Sequence, residues 1–200
     1  MSNLRQTIKS YEDRGESYLR QKDSVEKDSH SLLRKFKKLV KGQSILEIGF
    51  GVGNDAEWFL DNRFFYTGVE PVLKFCKNLH AKFPWINILN SDVREIEFRP
   101  ETFDGIWAMA SLIHLEDEDL SEVLKKFHSW LKKDGIVYIS LKEGRKKITT
   151  EDGRYFNLYT RSRFLPLTKD QFKLVNYSVT KPKKHNSVKT NWLNFYLKKI

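Results

Sequence analysis

The most constraining feature of this chain is a short apolar run that breaks into three alternating glycines. Residues 45–54 read Ile-Leu-Glu-Ile-Gly-Phe-Gly-Val-Gly-Asn, and helix-forming residues follow at once. Glycine has no Cβ and accepts positive φ angles, so a strand that ends in such a turn lets a ligand approach the backbone closely. The free N–H groups of the first helical turn then face whatever binds there. We therefore predict a strand, a glycine turn and a helix that form one side of a ligand site.

The glycine spacing and the acid before it separate two classes of cofactor. The dinucleotide fingerprint is Gly-x-Gly-x-x-Gly and places a pyrophosphate at the helix N-terminus. Here the third glycine, Gly53, comes one position early, and Glu47 would repel a pyrophosphate but suit an ammonium group or another cation. The acid followed by Gly-x-Gly-x-Gly resembles motif I of the class I S-adenosylmethionine-dependent methyltransferases, whose cofactor carries an amino group and a sulfonium. A glycine-rich turn without a ligand is the alternative.

Two further acids follow predicted strands. Glu70 ends the strand-like segment 64–69 and lies 21 residues after Gly49, where an acid can accept hydrogen bonds from ribose hydroxyls. Because NAD and S-adenosylmethionine both contain the ribose, Glu70 does not separate them. Asp92 and Val93 follow the next short apolar segment. In the methyltransferase resemblance this acid accepts from the adenine amino group, and the next backbone N–H reaches the ring.

Two longer segments complete the resemblance. Residues 103–114 look like a fourth strand and the loop that floors the transfer site, and residues 127–140 look like a helix, a turn and a fifth strand. The resemblance implies a Rossmann-like α/β methyltransferase fold: a seven-stranded, mostly parallel sheet with an antiparallel last strand, helices on both faces and an N-terminal helical cap. It also implies S-adenosylmethionine as the cofactor, bound by Tyr18, Glu47, Gly49, Gly51, Gly53, Asn54, Glu70, Pro71, Asp92, Val93, Ala108 and Met109.

Apolar spacing predicts the order of the elements. One or two helices fall within residues 3–41, and alternating segments after them predict a parallel sheet covered by helices. A charged loop from 142 to 153 follows, a short helix starts near Thr168, and a turn at 181–186 joins two last strands. We expect strands at 44–49, 64–69, 86–90, 102–108, 135–142, 172–180 and 192–199, and helices at 54–62, 71–83 and 117–132.

Length and composition favour one domain. The 200 residues can bury a sizeable core, and no apolar run approaches the roughly 18 residues of a membrane span. The polar N-terminal segment is unlike a signal peptide, and the lone Cys76 excludes an intramolecular disulfide or a cysteine zinc cluster, so we expect a cytoplasmic protein. We divide the domain into a cap (1–41), a cofactor-binding core (42–142) and an acceptor-side region that closes the sheet (143–200).

A closer likeness is carried by residues 110–115, 138–144 and 153–156. These segments are similar to small bacterial methyltransferases with loose ties to tellurite-resistance and ubiquinone-type enzymes. The pair Tyr11 and Tyr18 resembles their opening helix, which folds over the cofactor. The chain departs from the pattern at Phe50, where a small residue is usual and a ring can narrow the pocket. It departs again at 133–135, where Lys-Asp-Gly replaces Pro-Gly-Gly.

Methyl transfer depends mainly on the alignment of the reacting atoms. Displacement at a sulfonium needs the nucleophile, methyl and sulfur in line, and it needs a base only when the acceptor must lose a proton. His114 follows the fourth strand at the ligand-binding edge and is the candidate base, with a packing role as the alternative. The residues predicted to contact the methyl acceptor are Ser111, His114, Tyr155 and Tyr159. For the two tyrosines, the alternative is that they cover the edge of the core. The other histidines show no ligand spacing, so we predict no metal site.

The charge of the chain is compatible with several classes of binding partner. The formal net charge is +10, and residues 140–200 hold 15 Lys and Arg against four acids, an excess of 15 − 4 = +11. Such a region can follow a phosphate backbone, attract an anionic metabolite or lipid surface, or be a solvated face. We expect a small-molecule acceptor and a monomer or weak homodimer. Methylation of RNA or protein is second, a non-catalytic cofactor-binding domain third, and a nicotinamide enzyme last.

Overall fold

The computed structural model describes residues 2–20, 26–182 and 188–200, with the side chains of 26–28 excepted. Most of the predicted turn at 181–186 lies outside this range. Short 3₁₀ turns occur at Leu112–His114 and Leu165–Leu167. The helices are α1 (Asn3–Arg20), α2 (Glu26–Leu39), α3 (Asn54–Asp61), α4 (Leu73–Lys82), α5 (Asp117–Trp130) and α6 (Arg161–Phe164). The strands are β1 (Ser44–Ile48), β2 (Phe65–Val69), β3 (Asn87–Leu89), β4 (Phe103–Ala108), β5 (Leu131–Lys142), β6 (Lys147–Thr149), β7 (Tyr155–Asn157), β8 (Phe172–Thr180) and β9 (Trp192–Lys199).

The main sheet has seven strands in the order β3-β2-β1-β4-β5-β9-β8. Strands β1 to β5 pair in parallel, and β9 is antiparallel to both β5 and β8. The predicted seven-stranded, mostly parallel sheet with an antiparallel last strand is therefore confirmed. The chain runs outward from β1 to β3 and then returns to the other side of β1 with β4. Ligands of open α/β sheets bind at such a switch point, beyond the carboxyl ends of the strands.

The central strands are apolar because helices cover both of their faces. Neighbouring residues of β4 show the division: Ile106 belongs to the apolar cluster under α5, and Trp107 belongs to the cluster under α2, α3 and α4. Phe127 of α5 and Phe36 of α2 are fully buried in these two layers. In the described residues no helix is long and apolar enough to cross a membrane.

Two predicted boundaries are wrong, one at the start of β5 and one near Thr168. The predicted turn at 133–135 is an irregularity inside β5: Asp134 has a φ of 64°, and the pairing with β4 shifts there. The predicted helix at Thr168 is replaced by α6, which begins earlier because the Thr160 hydroxyl accepts the N–H of Arg163. Both errors come from local caps and bulges that apolar spacing does not encode.

The predicted charged loop at 142–153 contains a strand. β6 and β7 form a separate two-stranded antiparallel sheet, with Ile148 opposite Phe156. This hairpin stands beside the carboxyl edge of the main sheet: the hydroxyl of Thr7 in α1 accepts the backbone N–H of Tyr155 at 2.9 Å. The hairpin and α1 thus meet above the switch point, where the site lies.

Candidate active site

A cavity of about 230 Å³ lies beyond the carboxyl ends of β1 to β4. It is lined by α1, the glycine turn after β1, the segments that follow β2 and β3, the first turn of α4, and the loop after β4. Because these parts meet at the switch point, sequence-distant residues converge there. The residues predicted to bind the cofactor or acceptor that line it are Gly49, Gly51, Glu70, Pro71, Asp92, Val93, Met109, Ser111 and His114.

The glycine turn has the backbone that its sequence predicts. Gly49, Gly51 and Gly53 have φ angles of 70°, 53° and 87°. A Cβ on Gly49 would lie 2.5 Å from the Cβ of Ser111, so the turn packs closely on the loop after β4. A Cβ on Gly51 would meet no atom within 4 Å. Position 51 therefore opens onto space that a ligand can fill.

Glu70 joins β2 to the glycine turn. Its carboxylate accepts the N–H of Gly51 and the N–H of Val72, both at 2.9 Å. Burial raises the pKa of Glu70 to about 7, and the two N–H groups oppose that rise. Each carboxylate oxygen can accept a second hydrogen bond. Glu70 is thus fixed at the cavity wall with acceptor capacity to spare.

Asp92 is held at the end of β3 by an arginine. Arg94 donates from Nε at 3.0 Å and from Nη2 at 2.7 Å to the same carboxylate oxygen, and its N–H reaches the other at 2.9 Å. A second ion pair at 2.7 Å joins Arg94 to Asp119. The paired arginine orients Asp92, and Val93 beside it also lines the cavity.

The loop after β4 supplies a polar atom to which no described residue gives a hydrogen bond. Ser140 accepts the N–H of Ala110 at 2.8 Å, which fixes the start of the loop. The hydroxyl oxygen of Ser111 is buried and has no hydrogen-bond partner among the described residues. A buried hydroxyl without a partner costs free energy, so a ligand with a polar group satisfies it.

The charges in the lining are acidic. Among the described residues that line the cavity, Glu70 and Asp92 are the acids, and none is a lysine or arginine. Nor do the described residues place three or more His, Cys, Asp or Glu side chains together as metal ligands. A pyrophosphate would meet these carboxylates without a cation in the wall, whereas an ammonium or sulfonium group suits them.

Comparison with known proteins identifies the core. Residues 45–135 match the family model described as "Methyltransferase domain". This segment, which is less than half of the chain, is therefore similar to methyltransferase domains. An uncharacterised methyltransferase of Oceanobacillus iheyensis is 30% identical over 93 residues, which are 46% of this chain and 44% of the relative. The match thus spans less than half of the curated relative.

Solved structures show the same fold across nearly the whole chain. The 1,6-didemethyltoxoflavin-N1-methyltransferase of Burkholderia thailandensis, solved with S-adenosylhomocysteine, has a TM-score of 0.74 at 19% identity and covers 95% of this chain and 87% of its own. A protein of Pyrococcus horikoshii has a TM-score of 0.69 at 20% identity, over 86% and 88%. The methyltransferase fold therefore extends beyond the segment that the family model matches.

Several predicted cofactor residues of this methyltransferase core lie behind the cavity wall. Glu47 is buried and accepts the hydroxyl of Tyr66 at 2.8 Å, and burial together with the nearby Asp55 raises its pKa well above the usual range. Gly53 and Asn54 begin α3. Ala108, Gly53, Asn54 and Glu47 do not belong to the described lining. A direct role of these four residues in binding stays a prediction.

The side chain of Phe50 points away from the cavity. Its ring packs towards β2, 2.8 Å from where a Cβ on Gly68 would stand, and it lies outside the described lining. The expectation that Phe50 narrows the pocket is wrong because the turn directs this side chain into the apolar cluster under α3 and α4.

The two tyrosines predicted to contact the methyl acceptor form hydrogen bonds outside the cavity instead. The hydroxyl of Tyr155 donates to Glu116 at 2.7 Å, and that of Tyr159 donates to Asp117 at 2.6 Å. Both rings are buried and neither belongs to the described lining. Their geometry favours the alternative, in which they cover the core edge. Tyr155 reaches the site only through its backbone carbonyl, which bonds His114.

Sequence reasoning placed Tyr11 on a helix over the cofactor but missed the other cap residues that line the cavity. Leu4, Thr7, Ile8 and Tyr11 of α1 form one side of it. Tyr18, the tyrosine predicted to bind the cofactor, packs behind Tyr11 with ring centroids 5.4 Å apart. Leu4, Ile8 and Tyr11 are spaced three or four residues apart, so their helical periodicity could have predicted that they share one face of α1.

Proposed function

We propose that the chain is an S-adenosylmethionine-dependent methyltransferase that transfers a methyl group by in-line displacement to an O, N or S atom of a small molecule. The observation that carries the proposal is the convergence of the open Gly51 position, Glu70 and Asp92 on one cavity in a methyltransferase fold. Bound there, the cofactor supplies an electrophilic methyl on a sulfonium. Holding the acceptor in line with that methyl is the protein's main contribution.

The residues present fit this cofactor. Glu70 would accept from the ribose hydroxyls, and Asp92 with the N–H of Val93 would hold the adenine. Ser111 offers a buried hydroxyl without a partner among the described residues. The acidic lining supports a cationic cofactor over a dinucleotide, whose pyrophosphate would be repelled.

A small acceptor is supported by the cap. Leu4, Ile8 and Tyr11 of α1 lie over the cavity, and Leu112 and Leu115 face them from the loop after β4. Contacts from α1 to the rest of the site include the bond between Thr7 and the hairpin and an ion pair of 2.6 Å between Arg14 and Asp152. A cap held in this way supports a small acceptor over a polymer.

The basic C-terminal region gives less support to an RNA acceptor. Many of its cations are paired with acids: Lys147 with Glu116, Arg154 with Asp152, Arg163 with Asp117 and Lys198 with Asp134. Lys183 and Lys184 lie outside the described residues. If RNA is the acceptor, its binding weakens steeply with salt, and titration of RNA at two salt concentrations tests this. The prediction of a monomer or weak homodimer stays open to sedimentation.

Calorimetric titration with S-adenosylhomocysteine and, separately, with NADH tests the proposal. We expect micromolar binding of S-adenosylhomocysteine, none of NADH, and loss of binding in Glu70→Ala. Glu118→Ala, an exposed acid on α5, is the matched control and should bind as the unchanged protein does. Absence of S-adenosylhomocysteine binding would contradict the proposal. Binding without turnover on any acceptor would instead favour the non-catalytic alternative.

A further inference from the structure

We propose that Tyr11 and His114 form a proton relay, and that the acceptor is therefore a small molecule that carries a neutral O–H or ring N–H at the methylated atom. The inference rests on the proposed methyl transfer and adds to it the class of substrate. It starts from a side chain of α1 and a side chain of the loop after β4, which lie 103 positions apart in the chain and meet at 3.2 Å.

The backbone fixes the tautomer of His114. Its Nδ1 faces the carbonyl oxygen of Tyr155, which can only accept, so Nδ1 carries the hydrogen. In the neutral ring Nε2 then has a lone pair, and the hydroxyl of Tyr11 donates to it at 3.2 Å. Edge contacts with Tyr11 and with Phe156, with ring centroids 5.6 and 4.9 Å apart, hold the imidazole in place. His114 is thus set as an acceptor that points at Tyr11.

Tyr11 connects this acceptor to the cavity. Its oxygen has two lone pairs, and the guanidinium of Arg154, which lies 5.5 Å from the centre of the Tyr11 ring, lowers the pKa of the hydroxyl. Arg154 is in turn held by Asp152 at 2.9 Å. The Tyr11 oxygen can therefore accept a hydrogen bond from a methyl acceptor in the cavity that Tyr11 lines. The Arg154 charge favours transient negative charge on the phenolic oxygen while its proton moves to His114.

The transfer balances with these groups alone. The acceptor oxygen or nitrogen uses a lone pair to form the bond to the methyl, and the carbon–sulfur bond breaks with its electron pair going to sulfur. The proton of the methylated atom passes to the oxygen of Tyr11, and the hydroxyl proton of Tyr11 passes to Nε2 of His114. One positive charge leaves the sulfur and one appears on the imidazolium, so the net charge of the cavity is unchanged.

The electrostatic surroundings suit a relay that waits in the neutral form. Burial, with a smaller contribution from the Arg154 charge, lowers the pKa of His114 to about 4, and the Tyr155 carbonyl opposes this shift. Burial raises the pKa of Tyr11, Arg154 lowers it, and Tyr18 and Glu70 raise it. His114 is therefore uncharged and able to accept a proton throughout the neutral range. A weak base is sufficient because the proton becomes strongly acidic as the bond to the methyl forms.

Two substitutions test the relay with matched controls. Tyr11→Phe and His114→Gln each break it, and Tyr177→Phe and His128→Gln make the same chemical changes on β8 and α5, outside the described lining. Transfer of radiolabelled methyl is measured with phenol, catechol, benzimidazole and p-nitrophenol. For the three neutral acceptors we expect a loss of about a hundredfold or more in both relay variants, and little change in the controls. For p-nitrophenol at an alkaline pH that ionises it, we expect little change in any variant.

The pH profile supplies a readout that a packing role would not move. With phenol the unchanged protein should show a rate that is flat through the neutral range. In Tyr11→Phe the rate should rise about tenfold per pH unit, because only ionised phenol then reacts. Imidazole NMR of the S-adenosylhomocysteine complex should show the Nδ1–H tautomer and a change at Nε2 in Tyr11→Phe.

The outcomes separate this inference from the proposed function. S-adenosylhomocysteine binding is measured first in every variant, and if the unchanged protein does not bind it, the proposed function fails. With binding intact, equal rates in the relay variants and controls, equal losses on ionised p-nitrophenol, or no transfer to any neutral acceptor would overturn the relay. So would an Nε2–H tautomer of His114.

Discussion

The carboxylate of Glu70, at the end of β2, accepts the backbone N–H of Gly51 at 2.9 Å in the turn after β1. Its other oxygen accepts the N–H of Val72 at 2.9 Å. One side chain thus fixes two loops at the switch point of the sheet. The glycine turn and Glu70, the acid predicted to bind the ribose, are separate landmarks in the sequence and form one hydrogen-bonded unit in the structure.

Glu70 should make cofactor binding depend on pH. Its pKa is raised to about 7 by burial, and ribose hydroxyls bond the ionised form better than the protonated form. We expect the affinity for S-adenosylhomocysteine to rise as the pH rises through about 7. Calorimetry of Glu70→Gln should show weaker binding without this rise. A rise that persists in the variant would assign it to another group.

The same group should lower stability at higher pH. The pKa of Glu70 in the folded protein lies above its usual 4.5, so the stabilising contribution is fully present below 4.5 and is lost as the pH rises through about 7. Urea unfolding should therefore show a free energy of unfolding that falls from acidic to neutral pH in the unchanged protein. Glu70→Gln should reduce that fall. An identical pH dependence in both proteins would contradict the shift.

Gly51→Ala should weaken cofactor binding more than it weakens the fold. The new Cβ would enter open space at the cavity, and the φ of 53° adds about 1–2 kcal/mol of backbone strain. Gly153→Ala is the control because its φ is also positive, 83°, and it lies outside the described lining. We expect similar losses of unfolding free energy and at least about a tenfold loss of S-adenosylhomocysteine affinity only in Gly51→Ala. Equal affinities would show that the ligand does not approach this turn.

Tyr66→Phe should destabilise the core behind the turn. It removes the donor at 2.8 Å from the buried Glu47 and leaves that carboxyl without this hydrogen bond. The expected cost is about 1–3 kcal/mol of unfolding free energy, measured by urea denaturation. Tyr177→Phe, on the partly exposed β8, serves as the comparison and should cost less. An unchanged unfolding free energy in Tyr66→Phe would mean that Glu47 has another partner.

Tyr159→Phe should affect stability and leave cofactor binding intact. The Tyr159 hydroxyl donates to Asp117 and accepts from Asn157, at 2.6 and 2.8 Å, in a network that Arg163 completes. We expect a loss of about 1–2 kcal/mol of unfolding free energy and unchanged S-adenosylhomocysteine affinity. If the affinity falls while stability holds, the original prediction of a pocket role for Tyr159 regains support.

The sequence predicts the parallel core well because its signals are local. The glycine turn, Glu70 and Asp92 each follow a buried strand, and the sheet brings strand ends together whatever the loops do. The bulge at Asp134 and the cap at Thr160 were not predicted, because they depend on single hydrogen bonds and φ angles rather than on apolar spacing.

The acceptor side could not be predicted in the same way. Tyr11 and Tyr18 share one face of α1, and only the docking of that helix decides that Tyr11 lines the cavity. Tyr155 was expected through its ring, yet it reaches His114 through a backbone carbonyl, which any residue could supply. Such contacts depend on tertiary packing and leave no residue-type signal.

A crystal structure of the protein with S-adenosylhomocysteine tests the central claim most directly. The account predicts density in this cavity, with the ribose hydroxyls at Glu70, the adenine between Asp92 and Val93, and the sulfur facing the loop from Ser111 to His114. S-adenosylhomocysteine bound outside the cavity, or with its ribose away from Glu70, would contradict the account.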